Sequence, residues 1–440
     1  MGLVDISATR NPMRPLGFSM IRLKRAIYFR RFRRYLTFLL ALVFVTIASI
    51  KYNVLMLHEE SDPFEALKAR WLSMNLTDII RPEEETALIQ PRDLPEACKT
   101  SVSDHNETPH LIITVSSAPG NRGARDAIRE TWAEKSVLPS LVSVLFILGK
   151  SPDENMTKSI QVEARIHNDI IVEDFEDNYE NLTIKTLFVV KWMMNNCARA
   201  THLLKTDDDM LIMVDNLLET LTRINLNINQ EQKMEGIDSK DKNNNLGHYV
   251  LTKTKSLASS MPTVRSSKLK DINATGKFIL GYLYKDPKPI RDRSSKWFIP
   301  CELYTKDYFP DFISGTAYVI AAGIDTYSTM MSILRNSLSA RPVFPLEDVF
   351  ITGVIANEGM GIQLLRGNDQ FHKTEAIVLP WSINELATCF HYKSVAIHGL
   401  DAKEIVKGWR SIKGINKEKC NSMKGHFYTS LYSIIWAVIS

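Results

Sequence analysis

From His110 onward the chain alternates short apolar β-type runs with segments of helical pattern, and this alternation restricts the fold more than any other feature. Leu111 to Val115 precedes a helical pattern over Asn121 to Glu134, and Val142 to Leu148 forms the next apolar run. Asp169 to Val172 then precedes Leu182 to Cys197, and His202 to Lys205 precedes Asp215 to Ile224. Parallel neighbours need a crossover, usually a helix, so the alternation predicts an α/β domain of Rossmann-like type with a mainly parallel sheet. Ligands of such sheets sit beyond the carboxyl ends of the strands. One run ends there in three consecutive acids, Asp207, Asp208 and Asp209.

Carboxylates behind a run as apolar as Leu203-Leu204 are costly unless a cation meets them. An Asp-x-Asp at that place can hold Mn²⁺ or Mg²⁺ through oxygen and leave positions open for phosphate oxygens; a solvated turn is the other reading. Arg125 and Arg129 stand four apart in a helical pattern, on one face. They can grip a phosphate bidentately or pair with Asp126 and Glu130 on a solvated face. Glu347-Asp348 offers a carboxylate base, from either residue, or a helix-start acid pair. His398 ends a short β-type run and can complete a metal shell or sit in the core with one backbone hydrogen bond.

The first 34 residues carry nine Lys/Arg and one Asp, a net +8 against +4 for the whole chain, so the remainder is net −4. The basic balance is a tail property and gives no reason to expect a nucleic-acid partner. After Arg30-Arg31-Phe32-Arg33-Arg34 the chain is uncharged from Tyr35 to Ile50 and is closed by Lys51. Sixteen residues fall short of the ~20 of a full span, but a snorkelling lysine and a thin membrane accommodate the deficit. The expected order is a cytoplasmic tail at 1–34, a signal anchor at 35–57, a Pro/Glu-rich stem at 58–108, a catalytic domain at 109–415 with a polar insertion at 224–273, and an extension at 416–440. The apolar stretch Phe427 to Ile439 is expected to pack against the domain and not to span. Five Asn-x-Thr sequons, at Asn75, Asn106, Asn155, Asn181 and Asn273, lie on the expected lumenal side. So do five cysteines, enough for two disulfides and one thiol in any of fifteen arrangements.

The motifs fall in a recognisable order: Arg125-Asp126-Ala127-Ile128-Arg129-Glu130-Thr131-Trp132, Phe146-Ile147-Leu148-Gly149 and Asp174-Phe175-Glu176-Asp177-Asn178-Tyr179-Glu180-Asn181-Leu182-Thr183-Ile184-Lys185-Thr186. Lys205-Thr206-Asp207-Asp208-Asp209, Tyr308-Phe309-Pro310-Asp311-Phe312-Ile313-Ser314-Gly315-Thr316, Glu347-Asp348-Val349 and His398 follow. In this order, from about His110 to Ile412, the chain resembles the β-1,3-galactosyltransferase/β-1,3-N-acetylglucosaminyltransferase family, glycosyltransferase family 31. The resemblance implies a GT-A fold on a type II Golgi membrane protein, with a UDP-sugar as donor, a glycan on protein or lipid as acceptor, and Mn²⁺ or Mg²⁺ as cofactor. It implies Asp209 and His398 as metal ligands, with Asp207 beside them near the sugar or ribose. Arg125, Arg129, Asp177, Lys185 and Asp208 fall where the family contacts nucleotide or shapes its pocket, and Asp348, next to Glu347, falls at the proposed base. Two departures stand out. Ile313 occupies a frequent cysteine position while Cys301 appears elsewhere, and the 224–273 insertion is unusual.

The expected activity is inverting transfer of a hexose, galactose first, in β-1,3 linkage. The alternatives are an N-acetylhexosamine donor, a glycan-binding relative that has lost catalysis, and a metal-dependent hydrolase.

Overall fold

The computed structural model describes residues 17–57, 63–99, 109–238, 276–323, 325–372, 385–416, 418 and 420. The chain divides into two compact units, Met1–Ala69 and Arg70–Ser440. In the first, one helix runs over Gly17–Leu57, and its segment Tyr28–Lys51 is long and apolar enough to cross a membrane. Its apolar side chains, Phe38, Leu39, Phe44 and Ile47 among them, are exposed.

The second unit is built on an eight-stranded sheet. Its order is β1 (Ala87–Ile89), β4 (Ile170–Glu176), β3 (Val142–Lys150), β2 (Leu111–Ser116), β5 (His202–Asp207), β8 (Phe312–Ala322), β7 (Lys277–Tyr284) and β9 (Gln363–Arg366). Strands β4, β3, β2 and β5 are mutually parallel, β7 and β9 are parallel, and β1 and β8 run against their neighbours. This mixed, mostly parallel sheet is the α/β architecture expected from the alternation. Every residue of β2 is buried, as in a strand covered on both faces. The helices Arg122–Arg129, Glu154–His167 and Leu182–Asn196 provide the crossovers. Glu154–His167 is capped by Asp153 at its start and stopped by Asn168 in the left-handed region, φ 52°.

A second, three-stranded sheet is made by β10 (Phe371–His372), β11 (Ala396–His398) and β6 (Met210–Ile212). Strand β6 begins one residue after the third aspartate, and β11 pairs with it antiparallel in a register that sets His398 opposite Met210. Residues nearly 190 positions apart in sequence are thereby neighbours. The Trp132 indole donates to the Met210 carbonyl at 3.0 Å and Leu400 N donates to the Asp209 carbonyl at 3.0 Å, which fixes the aspartate turn from two sides.

Three expectations are corrected. The stretch 58–108 is not stem throughout: from Arg70 the chain belongs to the folded unit, Trp71, Leu76 and Ile80 are fully buried, and β1 extends the sheet. Buried Lys191 donates to the Ile80 carbonyl at 2.9 Å and to Thr86 Oγ1 at 2.7 Å, and Thr86 donates to Glu173 at 2.7 Å. A Pro/Glu-rich composition concealed this because the segment buries only a few, widely spaced apolar residues. The 224–273 insertion does not begin as a loop, since the helix Val214–Asp238 continues through its first part; residues 239–275 lie outside the described residues. Asn181 is only 2% exposed, its amide donates to the Glu176 carbonyl and its oxygen accepts from Arg70, so this sequon has no room for a glycan. Asn75 and Asn155 are exposed. The Phe427 to Ile439 stretch, Asn106 and Asn273 lie outside the described residues.

Of the fifteen cysteine arrangements the structure has one, Cys98–Cys197 and Cys389–Cys420, with Cys301 free and exposed. Cys98–Cys197 closes a separation of 99 residues and ties the segment before β2 to the end of Leu182–Asn196, a cross-link of about 4–5 kcal/mol in the chain-entropy view. A soluble fragment beginning at Arg70 should therefore be secreted and unfold cooperatively, whereas one beginning at Pro109 should be poorly secreted and melt well below it. Secretion yield and thermal unfolding of the two fragments compare them. In the full-length glycoprotein, site-resolved mass spectrometry should find glycan at Asn75 and Asn155 and an unmodified Asn181.

Candidate active site

The three aspartates at the carboxyl end of β5 face three different environments. Asp207 Oδ1 accepts from Lys205 Nζ at 2.7 Å. Asp208 Oδ2 accepts from Ser117 Oγ at 2.6 Å and from Asn121 Nδ2 at 3.0 Å. Asp209 Oδ2 lies 3.2 Å from His398 Nε2, while its Oδ1 is buried with no hydrogen-bond partner. The Asp209 side chain is 43% exposed, so a cation arriving from solvent can reach a carboxylate whose Oδ1 no protein donor holds. A carboxylate with an orphaned oxygen beside an imidazole suits a divalent ion that takes its remaining ligands from phosphate and water. Among the described residues no group of three or more His, Cys, Asp and Glu stands ready as a complete cage. The fit is thus to an open site completed by a substrate.

Lys205, a lone cation within an apolar strand, links the aspartates to the acid pair. It is 3% exposed and donates to Asp207 and, at 2.6 Å, to the Gly315 carbonyl, with Glu347 Oε2 at 3.8 Å. Burial pushes its pKa down, but Asp207 and Glu347 more than offset this and hold it charged. Glu347 Oε1 accepts from Tyr318 Oη at 2.5 Å; burial pushes this carboxyl up to about 7, with Lys205 pulling against it and Asp348 adding to it. Asp348 caps the π-helix Val349–Gly359 through Val349 N at 2.9 Å and accepts from Gly315 N at 3.0 Å. Burial raises its pKa against these backbone donors. Gly315 permits this close approach: a Cβ there would lie 3.1 Å from Glu347 Oε2 and 3.3 Å from Asp348 Cβ, so the acid pair would have to give way slightly.

The arginines do not face a ligand, which corrects the expectation of a phosphate grip. Arg125 is fully buried; its Nε and Nη2 each donate at 2.8 Å to Glu163, and Nη1 donates to Ser117 Oγ and the Ala118 carbonyl. Arg129 pairs with Asp169, Asp126 and Glu163 and lies 4.6 Å from the Phe146 ring. Asp177 and Lys185 form a buried pair at 2.8 Å, Asp177 also accepting from Gly149 N at 2.7 Å and Lys185 donating to the Ser117 carbonyl at 3.0 Å. Arg125 and Lys185 thus hold the loop after β2 that carries Ser117, while Arg129 and Asp177 engage Glu163 and Lys185, the partners of those two. Asp126 is the one partner on the arginines' own helix; Glu163 and Asp169 come from Glu154–His167 and the turn after it, which four-residue spacing cannot reveal.

Ser117, Glu163, Lys205 and Tyr318 have no role assigned from the sequence. Lys205 alone carries a signal there, as a charge inside an apolar run. The others become visible only through their partners.

The sheet defines an α/β protein that gathers Asp207, Asp208 and Asp209 at the carboxyl end of β5. The sequence model of the galactosyltransferase family matches residues 123–260 and 250–366. The chain belongs to the galactosyltransferase family, as its motifs implied. It is 27% identical over 327 residues to human β-1,3-galactosyltransferase 1, covering 74% of this chain and 79% of that one. It is 27% identical over 343 residues to human β-1,3-galactosyltransferase 5, covering 78% and 90%. The galactosyltransferase LgtC, solved with donor and acceptor sugar analogs, covers 71% of this chain at 9% identity and TM-score 0.31. A mannosyltransferase of Pyrobaculum calidifontis, solved with GDP-Man and Mn²⁺, covers 85% at 9% and 0.30. Both are too distant to carry an argument.

Replacing Arg125 with Ala leaves Glu163 buried and half-paired, and should cost roughly 3–5 kcal/mol by urea unfolding. Burial pushes Glu163 up, but hydrogen bonds and charge from Arg125 and Arg129 outweigh it and hold the carboxyl at about 2. A depressed carboxylate contributes stability above its unfolded value of about 4.5 and loses it as pH falls toward 2. Unfolding midpoints should drop across that window in the parent, and less steeply in the Glu163→Gln variant.

Proposed function

We propose that this protein is an inverting hexosyltransferase that moves galactose from UDP-galactose to a saccharide hydroxyl in β-1,3 linkage. Family membership supports the reaction class, and the observation that carries the residue roles is the Lys205 bridge, which holds the Asp209 end of β5 and the Glu347-Asp348 pair at one strand edge. Asp209 and His398 would hold Mn²⁺ or Mg²⁺, whose bound charge stabilises the departing diphosphate. Asp207, fixed by Lys205, faces the sugar or ribose of the donor, and Asp208 orders the Ser117 loop beside it.

Asp348 is the base. Its carboxylate is oriented by two backbone N–H groups and its pKa is raised by burial, so it is fixed in place and more basic than an exposed aspartate. It takes the proton of the acceptor hydroxyl as that oxygen bonds to the anomeric carbon from the face opposite the UDP leaving group, which inverts the configuration. Glu347, engaged by Tyr318 and Lys205, positions Asp348 and Gly315 and does not touch the acceptor.

The arginines before the apolar span, the disulfides and the exposed sequons support a type II Golgi enzyme with its catalytic unit in the lumen.

Asp209→Ala should abolish Mn²⁺-dependent transfer while leaving the melting temperature within about 4 °C of the parent. Asp348→Asn should leave UDP affinity within a few-fold by calorimetry and lower turnover by about 10²–10⁴. UDP release that is independent of any added saccharide would argue for hydrolysis in place of transfer.

A further inference from the structure

Strand β8 does not follow β7 evenly. Gly281 pairs with Tyr318 and Leu283 pairs with Ile313, so two steps along β7 are matched by five along β8, and three extra residues bulge out between Ile313 and Tyr318. The bulge folds over Gly281, where a Cβ would lie 2.9 Å from the Ala317 carbonyl. A bulged strand gives up ladder partners, and its backbone groups must be met elsewhere. Side chains of β5 and of the π-helix with its cap meet them here. Ile313 N donates to Thr352 Oγ1 at 2.9 Å and Gly315 N to Asp348 Oδ2 at 3.0 Å. The Gly315 carbonyl accepts from Lys205 at 2.6 Å, and the Thr316 carbonyl accepts from Thr206 Oγ1 at 3.2 Å.

Thr352 reaches the acid pair as well as the bulge. It is fully buried in the π-helix Val349–Gly359, four residues after Asp348, and its hydroxyl donates to the Asp348 carbonyl at 2.7 Å while accepting from Ile313 N. A closed ring of bonded groups results. It runs from the Asp348 carbonyl through the Thr352 hydroxyl to Ile313, along the chain to Gly315 N, and back to the Asp348 carboxylate. The main chain and the side chain of one aspartate are thereby fixed against the same short stretch of β8. The second bond to this carboxylate, from Val349 N to Oδ1, belongs to the helix itself, so the bond from Gly315 is the one that sets the carboxylate against the sheet.

We propose that Thr352 is a positioning residue for the base: its hydroxyl pins the start of the β8 bulge to the Asp348 main chain, and the bulge in turn aims the Asp348 carboxylate at the acceptor hydroxyl. This rests on the reading of Asp348 as the base. Without the hydroxyl, Ile313 N loses its acceptor and the Asp348 carbonyl a donor in the interior, and the start of β8 shifts against the helix, carrying Gly315 N with it. A misaimed base slows proton removal and leaves the binding of donor and acceptor as it was.

The test is the full chain in detergent with UDP-galactose and methyl β-glycosides of N-acetylglucosamine, galactose and N-acetylgalactosamine. Thr352→Val, which keeps the shape and removes the hydroxyl, should lower kcat by about 10–100-fold, because a misplacement on the order of 1 Å at the reacting groups costs about that much. Acceptor KM and UDP affinity should stay within about twofold of the parent, and UDP bound per chain by calorimetry should be unchanged, which reports folding. Thr352→Ser should recover most of the turnover. In the Asp348→Asn background Thr352→Val should cost nothing further, since residues that act as a unit are not additive. Full turnover in Thr352→Val overturns the positioning role. So does a loss of UDP binding, a failure of Thr352→Ser to recover turnover, or an additive loss in the double variant, each of which would make Thr352 part of the fold only. Full turnover in Asp348→Asn, or a parent that binds UDP and transfers to no saccharide, overturns the reading of the base itself, and the positioning role with it.

Discussion

A buried lysine holds this site together. Lys205 lies in the interior of β5, where an unpaired ammonium would be prohibitive, and its position is tolerated because Asp207, the Gly315 carbonyl and Glu347 meet it from three segments. Those segments are the end of β5, the start of β8 and the turn before the π-helix. One cation therefore ties the aspartates at the end of β5 to the Glu347-Asp348 pair. The same charge keeps Asp207 and Glu347, both pushed upward by burial, from being a mutually repelling pair.

Around that link the polar groups are engaged in layers. Arg125 and Arg129 engage Glu163 and Asp169, Ser117 bridges Arg125 to Asp208, and Lys185 with Asp177 supports the Ser117 loop from the other side. Each is a charge or hydroxyl whose burial is offset by a specific partner, so removal of one leaves another exposed to an apolar interior. Beside this network Asp209 keeps its Oδ1 without a hydrogen-bond partner, while its Oδ2 lies beside the imidazole of His398.

Much of the framework was legible in the sequence. Strands β2 to β5 and their crossovers follow from alternating patterns that only a parallel sheet accommodates, and Asp207 to Asp209 had to fall at a strand's carboxyl end. The β1 edge strand and the buried Trp71 were illegible because a few anchor residues in a polar segment leave no period to read. The arginines were misplaced for a related reason: spacing of four gives a shared face, but whether that face meets water, ligand or a carboxylate is decided by another element.

The sequence by itself determined the class of fold, the apolar span and the family, since these depend on local pattern and on ordered motifs. Tertiary structure decided which cysteines pair, that Asn181 is buried, that three adjacent aspartates turn to three partners, and that His398 reaches the third of them through the β6–β11 register. Local chemistry fixes what a residue can bond, while only the packing of distant segments fixes what it meets.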